Sequence, residues 1–182
     1  MLRALLVVLA LVLAACGSDA PAATDDDSSD TIPPPPGVDT VTTPEGPPDW
    51  IGDAVNPFDV HMGECINRYS WTENDTRVDL TTVVPCEGEH DREAFFETDF
   101  PAEAGAPYPG RDPIEEFART TCYGSFQSFV GTPYEVSDLE IAFSIPPEEN
   151  FTDPAARYRG VVCYLFHPDG EPLVGTARGT RR

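Results

Sequence analysis

The chain contains no lysine, and its positive charge comes only from 11 arginines, set against 32 aspartates and glutamates. The formal net charge of −21 at pH 7 argues against binding of nucleic acid or anionic lipid through a broad surface, because both carry dense negative charge. The same acidity permits weak binding of cations or basic partners. We therefore expect no nucleic-acid partner.

Recognisable catalytic motifs are also absent. The sequence has no Gly-x-Ser-x-Gly elbow, no phosphate-binding glycine loop and no His-Glu-x-x-His pair. Carboxylates are plentiful, but in so acidic a chain no particular pair indicates acid–base chemistry. The sequence thus predicts a protein that is not an enzyme and that requires no cofactor and no metal.

Long apolar runs are missing after the N-terminus, and no later stretch approaches the length of about 18 residues that suggests a membrane span. The one marked run, at residues 5–13, has the length of a signal-peptide core. It ends in Leu13-Ala14-Ala15-Cys16, which resembles the lipobox of bacterial lipoproteins. The resemblance implies cleavage before Cys16, lipidation of its sulfur and attachment to the extracytoplasmic face of the cell membrane. The alternative is an ordinary secretory signal with a nearby cysteine.

The next segment, up to residue 55, has the composition of a flexible tether. It contains three consecutive aspartates from Asp25, four prolines at 33–36 and few large apolar residues, so it cannot bury enough surface to offset the entropy lost on ordering. Such a segment would span about 35 Å as a coil and roughly 100 Å if largely extended. We predict a signal peptide at 1–15, a lipidated acidic tether at 16–55 and one extracytoplasmic domain at 56–182.

Four cysteines remain once Cys16 is assigned to the lipid, and an even number in an exported chain predicts two disulfide bonds. The four are Cys65, Cys86, Cys122 and Cys163. Residues 65–71 and 78–84 have the amino-acid composition typical of strands, and turn-forming residues join them. Such a hairpin brings Cys65 close to Cys86, and we pair these two.

One long helix is predicted near the middle of the domain. Asp112 suits its N-cap, Pro113 its first position and Gly131 its C-terminal end. Further strands are predicted at residues 93–100, 139–145, 158–166 and 173–177, the last two forming a hairpin. The fold class is α+β, a small antiparallel sheet of about five or six strands with one main helix packed on it and two disulfides.

The second predicted disulfide would fasten that helix to the sheet. Cys122 lies on the apolar face of the helix, and Cys163 lies in the middle of an apolar strand. Pairing Cys122 with Cys163 therefore joins the two elements. The main alternative pairs Cys86 with Cys122 and Cys65 with Cys163.

Several motifs occur in the order typical of the actinobacterial septum-formation domain family. The most specific is Pro-Cys-x-x-x-His-x-x-Glu at residues 85–93, and Gly-Glu-Cys at 63–65 and Tyr-Arg-Gly-Val-Val-Cys-Tyr at 158–164 accompany it. The chain resembles this family over residues 58–178. The resemblance implies a small extracytoplasmic domain linked to septation, with no assigned catalytic residue. The chain departs from the common form at Phe151, in a region where the family often has tryptophan.

Cys86, His90 and Glu93 form the sharpest local cluster of candidate functional residues. Imidazole and carboxylate groups close in sequence can hold a metal, and a thiolate beside an imidazole can act as a nucleophile. Both chemistries require a free Cys86, which the predicted disulfide removes. The alternative is structural, with His90 packed behind the Cys65–Cys86 bridge.

The favoured function is a non-enzymatic binding or scaffold module at the outer face of the cytoplasmic membrane, assisting septum formation or other envelope processes. Its partners would be the membrane, through the lipid, and an envelope protein or cell-wall glycan bound along a groove lined by aromatic rings. The septal role comes from the family resemblance alone. The alternative is an envelope hydrolase or metal-dependent enzyme centred on His90.

Overall fold

The computed structural model describes residues 46–103, 105–155 and 158–182. The predicted signal peptide, Cys16 and the predicted tether up to residue 45 lie outside these residues. The first strand begins at Asp53, so the last residues of the segment predicted as tether belong to the sheet. Within the described part of the chain, no helix combines the length and the apolar content that crossing a membrane requires.

The core of the domain is a six-stranded antiparallel sheet with the strand order β1-β3-β2-β5-β7-β6. Its strands are β1 (Asp53–Val55), β2 (Cys65–Glu73), β3 (Thr76–Val84), β5 (Arg92–Asp99), β6 (Glu140–Ser144) and β7 (Gly160–Phe166). Two short strands, β4 (Glu89–His90) and β8 (Leu173–Val174), pair separately. The predicted α+β class, with an antiparallel sheet, one main helix and two disulfides, is confirmed.

The hairpin of β2 and β3 follows from its two turn residues. Asn74 and Asp75 adopt left-handed backbone angles, with φ of 48° and 59°, and Glu73 pairs with Thr76 on either side of them. Two consecutive residues with positive φ match the twist of antiparallel strands, and asparagine and aspartate tolerate that conformation well. The turn therefore fixes the register that brings the two ends of the hairpin together.

The main helix, α1 (Arg111–Val130), begins slightly earlier than predicted. Its N-cap is Gly110, with φ of 96° and no side-chain cap, so Asp112 lies in the first turn rather than at the cap. Proline is tolerated anywhere in the first turn because the N–H groups there have no helical partner, and Pro113 therefore did not fix the start. The predicted end is confirmed, since Gly131 is a left-handed C-cap.

Helix α1 packs on one face of the sheet. Phe126 and Phe129 of the helix pack with Phe95 of β5 and Leu165 of β7 in one buried cluster. A bulge in β5 between Ala94 and Phe96 shifts the register there, so that consecutive phenylalanines both contact this cluster. The helix thus covers the middle of the sheet on that side.

Both predicted disulfides are confirmed. Cys65 is bonded to Cys86 across the open end of the hairpin, with a Cα–Cα distance of 5.2 Å. Cys122 of α1 is bonded to Cys163 of β7 with a Cα–Cα distance of 5.5 Å. The second bond fastens the helix to a central strand, as the sequence indicated.

The predicted hairpin between residues 158–166 and 173–177 is wrong. Strand β7 pairs with β5 on one side and with β6 on the other, so it has no free edge to accept another strand. Strand β8 pairs instead with β4, where His90 is opposite Leu173. The C-terminal segment, defined as residues 173–182, therefore runs beside the Cys65–Cys86 end of the hairpin.

The outer face is the side of the sheet that α1 does not cover. It carries the alternate residues of the same strands. In β7, Val161, Cys163 and Leu165 contribute to the clusters that contain α1, whereas Val162 and Tyr164 contribute to a separate one. This outer cluster also contains Val60 from the segment that follows a short 3-10 turn at Pro57–Asp59. No described helix contributes to this outer cluster.

Gly52 should be essential for the approach of β1 to the sheet. Its φ is +90°, and a Cβ atom there would lie 2.4 Å from the carbonyl oxygen of Val83. We expect Gly52→Ala to lower the free energy of unfolding by about 2–3 kcal/mol, from backbone strain plus a steric clash. Urea denaturation followed through the fluorescence of buried Trp71 measures the loss.

Gly46→Ala is the matched control for this substitution. Gly46 has a similar φ of +85°, but a Cβ atom there would meet no atom within 4 Å. The Gly46→Ala variant should lose only about 1 kcal/mol of unfolding free energy, the contribution from backbone strain. Equal losses at Gly46 and Gly52 would contradict the proposed close packing of β1.

Candidate functional site

The structure brings together two of the three residues that the sequence singled out. His90, Glu93 and Cys65 each offer one ligand atom, and these three atoms lie within 4.8 Å of one another. The sulfur in the group is thus that of Cys65, the disulfide partner of Cys86. All three side chains are buried. His90 and Glu93 thus lie together, but inside the protein and beside Cys65 rather than as a group with a free Cys86.

His90 is fixed by its ring nitrogen Nδ1. Its side chain is 1% exposed, and Nδ1 lies 2.9 Å from the carbonyl oxygen of Gly88. A carbonyl oxygen can only accept, so Nδ1 carries the proton of this hydrogen bond. The other nitrogen, Nε2, has no hydrogen-bond partner among the residues that the structure describes. The imidazole is therefore oriented by the backbone, with one nitrogen left inside the cluster.

Glu93 anchors the C-terminal segment. One carboxylate oxygen accepts the hydroxyl proton of Thr176, and the other accepts the backbone N–H of Ala177 at 2.6 Å. A buried carboxylate is tolerated only when its oxygens are hydrogen-bonded in this way. Glu93 thus acts as an internal acceptor for a segment more than 80 residues away in the sequence.

The chemistry of this cluster is limited by the disulfide. An imidazole nitrogen, a carboxylate and a thiolate would make a plausible donor set for a tetrahedral metal site. The sulfur of Cys65 is bonded to Cys86, however, and a disulfide sulfur is not a thiolate ligand or a nucleophile. Both His90 and Glu93 are 1% exposed, so a substrate has no access to either.

The outer face carries an acidic cleft of about 330 Å³, lined in part by Phe58, His61, Glu97, Asp99 and Tyr158. The ring centroids of Phe58 and Tyr158 lie 4.9 Å apart, and Nδ1 of His61 lies 3.3 Å from a carboxylate oxygen of Glu97. Burial, with smaller contributions from nearby acidic groups, raises the pKa of Tyr158 to about 12. The cleft therefore combines aromatic surface with negative charge.

A second cavity on the outer face, of about 200 Å³, is called here the arginine pocket. Its lining includes Ile66, Arg68, Leu80, Arg92, Ser144 and Tyr164. The guanidinium of Arg92 also lies 5.2 Å from the ring centroid of Phe166. Burial and the charge of Arg68 lower the pKa of Arg92 below its ordinary value. Positive charge is thus concentrated at one point of an acidic protein.

Sequence reasoning missed both arginines because nothing local marks them. Arg68 and Arg92 lie in different strands and become neighbours only through the pairing of β2 with β5, in which Ile66 is opposite Arg92. A strand register that joins residues so far apart cannot be read from one sequence. The alternation of β2, with Ile66 and Arg68 two residues apart, was the one available signal for a shared face.

Comparisons of the chain with family models, with curated proteins and with solved structures found no match. The resemblance to the septum-formation domain family therefore stays a prediction from sequence motifs.

Proposed function

We propose that this protein is a lipid-anchored, extracytoplasmic binding module that performs no catalysis and uses the outer face of its sheet to hold a ligand. The observation that carries the proposal is the outer face itself. It bears two cavities of opposite charge, the acidic cleft and the arginine pocket, on the side of the sheet that α1 leaves free. Concave sites with a few polar groups among apolar ones are typical of ligand binding.

The two disulfides support an exported location. Stable structural disulfides form in oxidising compartments outside the cytoplasm and are rare within it. Three of the four cysteines, Cys65, Cys122 and Cys163, are fully buried, and each bond connects separate parts of the fold, so both bonds belong to its folded architecture. Together with the lipobox-like sequence before Cys16, they favour a protein held at the outer surface of the membrane.

The buried cluster around His90 supports a non-enzymatic role. A general base or nucleophile must reach its substrate within hydrogen-bonding distance. His90 and Glu93 are enclosed by β4, β8 and the disulfide, whereas the accessible cavities contain aromatic rings and charges suited to recognition. An envelope protein or a cell-wall glycan is the proposed partner, and assistance of septum formation is the proposed context.

Replacement of the lipidated cysteine tests the location. We expect Cys16→Ala to abolish incorporation of labelled fatty acid into the protein and to leave the N-terminal apolar run of residues 5–13 uncleaved, because Cys16 is the proposed site of both steps. Metabolic labelling with radioactive palmitate and the electrophoretic size of the product measure this, with Ser18→Ala as the control that should be labelled and cleaved. Labelling of the Cys16→Ala protein, or protection of the wild-type domain from external protease on intact spheroplasts, would contradict the proposal.

Two further readouts test the septal context and the absence of catalysis. A fluorescent fusion should concentrate at division sites, and uniform labelling would remove the septal part of the proposal.

If the purified protein hydrolysed an envelope substrate, and His90→Ala abolished this with unchanged melting temperature and disulfides, the enzyme alternative would replace the binding module.

A further inference from the structure

We propose that the arginine pocket binds a compact oxyanion, a carboxylate or phosphate group attached to a short apolar group. The inference rests on the proposed function, because it names the class of ligand that the outer face would hold. Its central feature is the pair Arg68 and Arg92, which share one face of two neighbouring strands and line one cavity with Tyr164.

Neither arginine is neutralised within the protein. Arg68 and Arg92 form no ion pair with any residue that the structure describes, although the chain carries a net charge of −21. Arg77, Arg111 and Arg119 do pair with nearby carboxylates, whereas Arg159 and Arg178, like Arg68 and Arg92, have no ion pair with a described residue. What distinguishes Arg68 and Arg92 is that they are neighbours on one face of the sheet and line one cavity, which an external anion could enter.

The two nearest carboxylates are engaged elsewhere. Asp79, which lines the pocket, lies 3.0 Å from the guanidinium of Arg77. Asp91 accepts the backbone N–H of Arg68 at 2.7 Å. Asp79 interacts electrostatically with Arg68, and Asp91 with Arg92, so the two acids offset part of the positive charge of the pair.

Two like charges close together are unfavourable, and burial makes them more so. Arg92 is partly buried, and both its burial and the neighbouring charge of Arg68 act against its positive form. An oxyanion bound between the two groups would relieve the repulsion and replace the lost hydration. Guanidinium groups suit this role because their planar donors match carboxylate and phosphate oxygens in pairs.

The walls of the pocket favour a short apolar group beside the anion. Ile66 and Pro57 supply apolar surface, while Ser144 and Tyr164 supply hydroxyls that can donate to oxygen. The cavity of about 200 Å³ accommodates only a few non-hydrogen atoms beyond the anionic group. The strong negative charge of the whole chain repels polyanions, which limits the ligand to a compact oxyanion.

Calorimetric titration of the mature lipidated protein in neutral detergent tests the inference, with sodium butyrate and butyl phosphate as probes and n-butylamine as the cationic analogue. The wild-type protein should bind at least one of the two anions, and the anion preferred identifies the ligand as a carboxylate or a phosphate ester. Arg68→Gln and Arg92→Gln should each weaken binding on the order of 10-fold, the effect of losing one charge-assisted contact.

Arg119→Gln is the matched control, because it also removes one arginine charge, but from an ion pair with Glu116 on α1 that involves no residue of the pocket lining. It should leave anion binding nearly unchanged. The inference is overturned if neither anion binds at about 10 mM, if butylamine binds as well as the anions, or if all three variants bind alike. Any of these outcomes with normal membrane attachment and septal enrichment removes the pocket assignment but leaves the binding-module proposal standing.

Discussion

The double variant Cys122→Ala/Cys163→Ala is expected to lose about 4 kcal/mol of unfolding free energy or more. The bond closes a loop with a sequence separation of 41 residues, and the loop-entropy relation assigns about 4 kcal/mol to a loop of that length. Both cysteines also lie fully buried in the cluster between α1 and the sheet, so truncation adds a packing loss. Such a loss is a large fraction of the stability of an ordinary domain.

The other disulfide supplies the comparison. Cys65→Ala/Cys86→Ala opens a loop with a separation of 21 residues, for which the same relation gives about 3 kcal/mol. Urea denaturation with Trp71 fluorescence as the readout should show a larger loss of unfolding free energy for Cys122→Ala/Cys163→Ala than for Cys65→Ala/Cys86→Ala. If removal of the Cys65–Cys86 bond cost more than removal of the Cys122–Cys163 bond, the helix-to-sheet link would not be the main covalent support of the fold.

The parts of the fold that the sequence predicted correctly depend on short-range signals. Asn74 and Asp75 specify a tight turn, and that turn places Cys65 beside Cys86 without knowledge of any distant contact. Gly131 ends the helix for an equally local reason, its left-handed conformation. The pairing of Cys122 with Cys163 followed from the apolar pattern of one helix and one strand.

The features that escaped prediction depend on contacts between distant segments. Strand β8 lies beside β4 because β7 is already paired on both edges, and this can be known only from the complete sheet order. The arginine pocket arises from the register of β2 against β5 in the same way. His90 and Glu93 were singled out by residue type, and residue type does not distinguish a buried acceptor from an accessible acid or base.

The role of Glu93 leads to the second large expected effect. Glu93→Leu should lower the free energy of unfolding by about 3 kcal/mol, although leucine is apolar and the site is buried. The substitution leaves the N–H of Ala177 and the hydroxyl of Thr176 without their acceptor, and an unsatisfied buried donor costs about 1–3 kcal/mol. The opposing effect is relief from burying a carboxylate, which makes apolar replacement of some buried charges neutral or stabilising.

The hydrogen bonds should outweigh that relief because leucine removes both acceptor oxygens at once, whereas the carboxylate that it replaces is already well hydrogen-bonded. Glu93→Gln is the matched control, since its amide oxygen can still accept from Ala177 while its NH₂ group donates to Thr176, and it should lose only about 1 kcal/mol. Hydrogen exchange gives a local readout. The amides of Gly179 and Arg181, bonded to the carbonyls of Phe129 and Val130, should exchange faster in Glu93→Leu.

The exchange rates of the Gly179 and Arg181 amides distinguish loss of the Glu93 anchor from a general loss of stability. The C-terminal segment is held at one end by Glu93 and at the other by the last turn of α1, so releasing the first contact should free the second before the sheet unfolds. Amides within β7 should keep their protection under native conditions. Equal acceleration in β7 and at Gly179, or full stability of Glu93→Leu, would show that Glu93 does not anchor the segment.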